Sequence, residues 1–163
     1  MTTKTQLQDE LKALRAELAE LSQDKSYGGL TRPALEIEHR KRSDECQYVV
    51  FIDLNKVHEL NAVHGQEKMD EMIRTAFAMT VRDTDLILFG RWKSGDEVAF
   101  LVKGDPQGFI TRLHNDLNTN GLSAMMDYAR IENNDLIAAV KIASDKVFNA
   151  KKGNYILDAP ERK

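Results

Sequence analysis

DLILFGRWKSGDEVAFLV, residues 85–102, is the stretch that decides the fold. Two apolar runs, DLILFGRW (85–92) and VAFLV (98–102), flank a short polar segment that carries Asp96 and Glu97. Strand-forming residues on both sides of a Ser-Gly-Asp turn predict a β-hairpin with both acids at its crest. Hairpin strands are necessarily antiparallel, so the sheet that grows from them is mostly antiparallel.

The elements around the hairpin follow from periodicity. QYVVFIDL (47–54) reads as a buried strand of β-branched and aromatic residues ending in Asp53. A short helix over 55–63 leads to His64-Gly65. Met69, Met72, Ile73, Ala76, Phe77 and Thr80 then mark the apolar face of a clear helix, with Glu67, Lys68, Asp70, Glu71 and Arg74 outside it. Residues 33–44 are predicted helical, as are 106–118, where Pro106 suits the first turn. LSAMMDYAR (122–130) is a strand. A final helix over 134–151 is expected to be capped by Asn133 or Asn134 and closed by Lys151-Lys152-Gly153, with NYIL (154–157) adding an edge strand. The order β-α-α-β-β-α-β-α-β describes an α+β domain whose helix crossovers cover one face of the sheet.

The N-terminal block TQLQDELKALRAELAELSQD (5–24) is different in kind. Leu7, Leu11, Leu14, Leu18 and Leu21 alternate spacings of four and three, the rhythm of a coiled coil. About two and a half heptads are present, short of the three or four that identify a coiled coil by pattern alone. The helix either packs on its own domain or pairs with a second copy; its narrow leucine seam favours the second. Tyr27-Gly28-Gly29 breaks it, so the chain divides into residues 1–26 and a globular part, 27–163.

Composition narrows the function. The 163 residues are 42% hydrophobic, enough for a sizeable core, and the formal net charge is −3. That balance argues against sequence-independent binding to nucleic acid or to anionic membranes, while leaving room for a local basic pocket. Cys46 is the single cysteine, which excludes an intramolecular disulfide and a thiolate zinc site. No apolar stretch reaches the roughly 18 residues of a membrane span, and MTTKTQLQDELK has no apolar leader. The expected location is the reducing cytoplasm. His39, His58, His64 and His114 lack ligand spacing.

Asp53 at a strand end and Asp96 and Glu97 on a hairpin tip invite a metal reading. Each acid alone has a plain structural explanation: Asp53 as the cap of the next helix, Asp96 as part of an Asp turn. If the hairpin pairs beside the Asp53 strand, three carboxylates converge, the hard-oxygen set that two divalent cations need for phosphoryl transfer.

Over roughly residues 30–156 the sequence resembles the GGDEF family, the diguanylate cyclases. SGDEV (94–98) is similar to the signature itself. FIDLNKVHELNAVHGQEKMD (51–70) is similar to the family's strand–helix motif, with Asp53, Asn61, Gly65 and Asp70 at its fixed positions. ASDKVFNAKKGN (143–154) resembles the segment with the phosphate-binding lysine, and LTRPALE (30–36) a shortened opening motif. The resemblance implies a palm-like sheet flanked by helices. It further implies that Asp53, Asp96 and the carbonyl of Leu54 ligate Mg²⁺ or Mn²⁺, and that Glu97 adds charge or assists deprotonation. Asn61 and Asp70 would read guanine, Gly95 would let backbone approach the phosphates, and Lys151 would neutralise them. Two GTP molecules on two facing subunits would then give cyclic di-GMP, with residues 1–26 holding the homodimer.

The pattern also departs from the family. Ser94 replaces the first Gly and Val98 the aromatic of the signature; His58 stands at a usual lysine and Asn154 at a usual arginine. Arg82-Asp83-Thr84-Asp85 reads as the product-inhibition motif, with a longer arm than usual to Asp96. Three functions are therefore carried forward. One is the active cyclase. A second is a degenerate domain that binds GTP or cyclic di-GMP as a regulatory or interaction module. The third is a related palm-type nucleotidyltransferase with a different product.

Overall fold

Residues 2–82, 84–93 and 95–161 are described by a computed structural model, with side chains through Lys152. The elements are α1 (Lys4–Ser22), α2 (Arg32–Lys41), β1 (Tyr48–Leu54), α3 (Val57–His64), α4 (Gln66–Thr80), β2 (Leu86–Arg91), β3 (Glu97–Val102), α5 (Pro106–Thr119), β4 (Ala124–Arg130) and α6 (Leu136–Glu161). The strands form one antiparallel sheet in the order β2-β3-β1-β4. The predicted hairpin is β2-β3, and it does pair beside the Asp53 strand, with Asp53 opposite Glu97.

Helices cover both faces of the sheet, not one. The reason lies in β1, whose successive side chains point to opposite sides and are apolar on each. Val50, Ile52 and Leu54 pack with Met69, Ile73 and Phe77 of α4 and Phe109, Leu113 and Leu117 of α5. Val49 and Phe51 pack with Leu35 of α2 and with Leu136, Val140, Ala143 and Val147 of α6. A strand that is apolar on both faces needs two layers of cover.

Two further expectations at the C-terminal end are corrected. Asp135, rather than Asn133 or Asn134, caps α6: its Oδ1 accepts from Ala138 N at 3.0 Å. Both asparagines have left-handed φ of 53° and 56°, whereas a capping residue takes extended backbone. The segment 154–157 is helical, not an edge strand, because α6 continues through Glu161. A single Gly153 costs a helix only about 1 kcal/mol, too little to end one that Leu, Ala and Lys favour.

Helix α1 contributes nothing to either core. A capping box between Thr3 and Gln6 opens it, and none of its residues is buried. Its five seam leucines are 47% to 73% exposed. Among the described residues no helix is long and apolar enough to cross a membrane.

His39 in α2 is 2% exposed and its Nε2 has no hydrogen-bond partner. Burial, aided by Arg40, lowers its pKa below the ordinary value of 6.5. The folded state therefore resists the proton that the unfolded chain accepts. Stability contributed by the neutral ring is fully present above the unfolded value and falls as pH drops through about 6.5 toward the lower folded value. Urea melts of the wild type should lose stability between pH 7.5 and 5.5, and His39→Leu should lose less. Equal slopes would remove His39 as the cause.

Candidate functional site

Two cavities meet at the turn between β2 and β3. The first, of about 350 Å³, lies on the α3–α4 side and is lined by Tyr27, Asn61, Gln66, Asp70, Arg91, Gly95 and Asp96. Asn61 reaches it from α3 and Asp70 from the first turns of α4, with Gly65 at a φ of 82° bending the chain between those helices. Only glycine takes that φ without strain. The Oδ1 of Asn61 is buried without a partner, while Asp70 Oδ1 accepts from Gln66 Nε2 at 2.8 Å. An orphaned buried acceptor costs about 1–3 kcal/mol, so it marks a place where a ligand donor belongs. Nothing closer than Arg91 Nη1, at 4.0 Å, stands where a Cβ at Gly95 would be, which leaves the turn's backbone open.

A clamp that reading the sequence missed holds this cavity. The Tyr27 hydroxyl donates to the carbonyl of Gly95. Arg91 lies 3.8 Å over the Tyr27 ring and makes a bidentate pair with Asp24 at 2.7 and 2.9 Å. Burial pushes the Tyr27 hydroxyl up to about 12; Arg91 opposes this and Asp70, Asp96 and Asp24 reinforce it. Tyr27 thus stays a donor at any physiological pH. Its only trace in the sequence is an aromatic before two glycines, which reads as a helix breaker.

The second cavity, of about 460 Å³, lies on the α6 side and contains Asp53, Glu97 and Lys151 together with Arg32, Trp92, Lys93 and Phe148. Lys151 Nζ donates to Asp53 Oδ2 at 2.8 Å. Seven predicted site residues are therefore collected at one sheet end, but divided between two cavities. The expected convergence of three carboxylates is corrected here: among the described residues no three acidic, His or Cys side chains form a metal-sized group. Alternation explains it, because Glu97 sits across from Asp53 and shares its face, while the preceding Asp96 turns to the other side. Asp53 and Asp96 still adjoin through backbone: Leu54 N donates to Asp96 O at 2.9 Å where β1 ends.

Arg82 and Asp85 lie at the opposite end of β2 from this turn. Asp85 Oδ2 accepts from Arg112 Nη2 at 3.0 Å, so a product bound there would compete with Arg112. Ser94, Asp83 and the side chain of Asn154 lie outside the described residues. Cys46 is buried and its thiol is pushed up to about 11 by desolvation, so it plays no part as a nucleophile.

Comparison with solved structures settles the architecture. The chain aligns with the coiled coil and GGDEF domain of DgcB from Caulobacter crescentus, solved in complex with c-di-GMP. The alignment covers 91% of this chain and 92% of that one, at TM-score 0.65 and 14% identity. The fold is that of a GGDEF domain. The diguanylate cyclase SiaD from Pseudomonas aeruginosa, in complex with its activator SiaC, aligns at TM-score 0.67 and 18% identity over 91% of this chain. This GGDEF fold spans 65% of the SiaD chain. The FimX GGDEF domain from Pseudomonas aeruginosa aligns at TM-score 0.60 and 17% identity, over 77% of this chain and 93% of that one. No protein-family model and no curated protein matches the sequence.

Proposed function

We propose that the chain is a member of the GGDEF family and a diguanylate cyclase that condenses two GTP into cyclic di-GMP and two pyrophosphates. The observation that carries this reading is the Asn61–Asp70 cavity, whose unpartnered buried acceptor on Asn61 and carboxylate on Asp70 open directly onto the acidic turn. A carboxylate at Asp70 can accept from guanine N1–H and its exocyclic amine together, an edge that adenine lacks. Asn61 Oδ1 takes a further donor.

The donor chemistry at this strand end suits a divalent cation, although Asp53 and Asp96 line different cavities and the described side chains do not form a metal-sized group. Carboxylates of Asp53 and Asp96 and the carbonyl of Leu54 are hard oxygen donors at one strand end. Asp53 already holds a cation, the ammonium of Lys151. Mg²⁺ or Mn²⁺ there would polarise the α-phosphate and the 3′-hydroxyl. Asn61 and Asp70 fix the base; Gly95 gives the ribose and phosphates access to backbone. Glu97, on the face of Asp53, receives the proton of the attacking 3′-hydroxyl. The oxygen forms a bond to the α-phosphorus of the other GTP, the bond from that phosphorus to the bridging oxygen breaks, and pyrophosphate leaves in line. Repetition closes the ring. Each chain holds one nucleotide, so two chains must face each other, and the exposed leucine seam of α1 is the means of pairing them. The alignment that includes the DgcB coiled coil covers 91% of this chain and the one without it 82%, which supports that role for α1.

A second reading has its own observation. Lys151 neutralises Asp53 and the acids are split between cavities, as suits a domain that binds GTP or cyclic di-GMP without turnover. Purified protein incubated with GTP and Mg²⁺ or Mn²⁺, with products resolved by chromatography, separates the readings. Cyclic di-GMP from GTP and nothing from ATP is expected, with Asp70→Ala lowering kcat/KM for GTP about 10- to 100-fold. Binding without product would establish the module, and a different product the third class of nucleotidyltransferase.

A further inference from the structure

The turn that carries Asp96 is fastened through its backbone to two distant parts of the chain. Leu54 N, at the end of β1, donates to Asp96 O at 2.9 Å. The Tyr27 hydroxyl donates to the carbonyl of Gly95. Both peptide units flanking Asp96 are thereby anchored, the one before it at Gly95 O and the one after it at Asp96 O. A peptide unit is planar, so holding both planes restrains the φ and ψ of Asp96 and with them the direction of its side chain. The tyrosine belongs to a strap, residues 24–29, closed on itself by Asp24 N to Gly29 O at 2.8 Å and Gly28 N to Asp24 O at 2.7 Å. Asp24 grips Arg91 where β2 enters the turn, and Arg74 of α4 donates to Ser26 O at 3.2 Å. The Tyr27 ring meets Phe77 edge-on at 5.9 Å and carries Arg91 at 3.8 Å. Phenylalanine would fill the same space; what the hydroxyl adds is the bond to Gly95.

We propose that Tyr27 is a positioning residue, whose hydroxyl sets Asp96 in place for the reaction through the carbonyl of Gly95. The inference rests on the reading of Asp96 as part of a cyclase site. Glycine accepts φ of either sign, so the Gly95–Asp96 peptide has the freedom to turn over unless something outside the turn holds it. Side-chain packing does not: a Cβ at Gly95 would meet nothing nearer than Arg91 Nη1 at 4.0 Å. The tyrosine supplies the missing restraint. Burial pushes the hydroxyl up to about 12, so it remains a donor and the bond persists at physiological pH. Losing it lets Asp96 wander, and a misplacement of about 1 Å costs a reaction about 10²-fold.

The test compares the full chain with Tyr27→Phe, which keeps the ring and its contacts, and with a chain carrying 4-aminophenylalanine at position 27, which restores a donor on the same ring. Amide hydrogen exchange of the nucleotide-free protein gives a readout that needs no turnover. Tyr27→Phe should exchange about five- to tenfold faster over residues 93–98, the worth of one hydrogen bond, with α4 and β1 unchanged, and the amino ring should restore slow exchange. Calorimetry with GDP should give the wild-type affinity for all three proteins. At saturating GTP, cyclic di-GMP formation by Tyr27→Phe should fall about 10- to 100-fold with KM unchanged, and recover with the amino ring. Unchanged exchange over 93–98 overturns the proposal, as does faster exchange with a wild-type rate. A fall in GDP affinity alongside turnover would make Tyr27 a wall of the base cavity and overturn it too. A wild type that makes no cyclic di-GMP defeats the cyclase reading, whereas exchange that quickens in Tyr27→Phe and slows again with the amino ring still upholds Tyr27 as the anchor of the turn that bears Asp96.

Discussion

Asp53→Asn should leave a folded chain that makes cyclic di-GMP at least about 10³-fold more slowly than the wild type, since a metal-held phosphoryl oxygen is worth several kcal/mol at the transition state. The amide keeps the size of the carboxylate and removes its charge. In the resting protein that charge serves the pair with Lys151, whose side chains are 24% and 36% exposed. A partly exposed ion pair contributes at most about 1 kcal/mol, so thermal stability should change little. The two measurements together discriminate: a large drop in turnover with a small change in Tm assigns Asp53 to chemistry. A large drop in both would make it a structural residue, and full turnover would remove Asp53 from the reaction. Glu97→Gln, which retains the shape of the proposed proton acceptor, should cost about 10²- to 10⁴-fold, the range of general-base losses.

How far the sequence exposes this architecture depends on the range over which each feature is specified. The hairpin, α4 and β1 were legible because alternation and helical spacing are local properties of a few residues. Asn61, Asp70, Asp53 and Asp96 were legible as a set through the resemblance of their spacing to one family. The clamp was not. Tyr27 meets Gly95 across 68 residues and Arg91 meets Asp24 across 67, and nothing in either segment announces the other. The same holds for Lys151 and Asp53, 98 residues apart: a lysine at the end of a helix looks like a dipole complement until the fold brings a carboxylate to it. The division of the acids was hidden for a different reason. It follows from the register that sets Asp53 opposite Glu97 rather than Asp96, and a shift of one residue would exchange their faces. The second helical layer could have been read from β1, since an uninterrupted apolar strand already implies cover on both sides.

Replacing Leu11 and Leu18 by Gln should make the chain monomeric and cut cyclic di-GMP formation at low micromolar protein by about 10²- to 10⁴-fold, the factor that separates tethered from freely diffusing half-sites. The argument is one of exposure. Five leucines lie at least 47% exposed on a helix that buries none of its residues on its own domain. Each leucine that becomes fully buried is worth about 1.5–3 kcal/mol, so a second copy of α1 is the natural cover for the seam. Since α1 touches neither cavity, nucleotide binding per chain should be unchanged, and only the meeting of two loaded chains should suffer. Turnover per chain should then rise with protein concentration for the variant and stay flat for the wild type. Sedimentation checks the first part of this expectation and initial rates over a concentration series the second. A variant that sediments as a monomer yet turns over GTP at the wild-type rate, independent of concentration, would show that the two half-sites meet through some other surface.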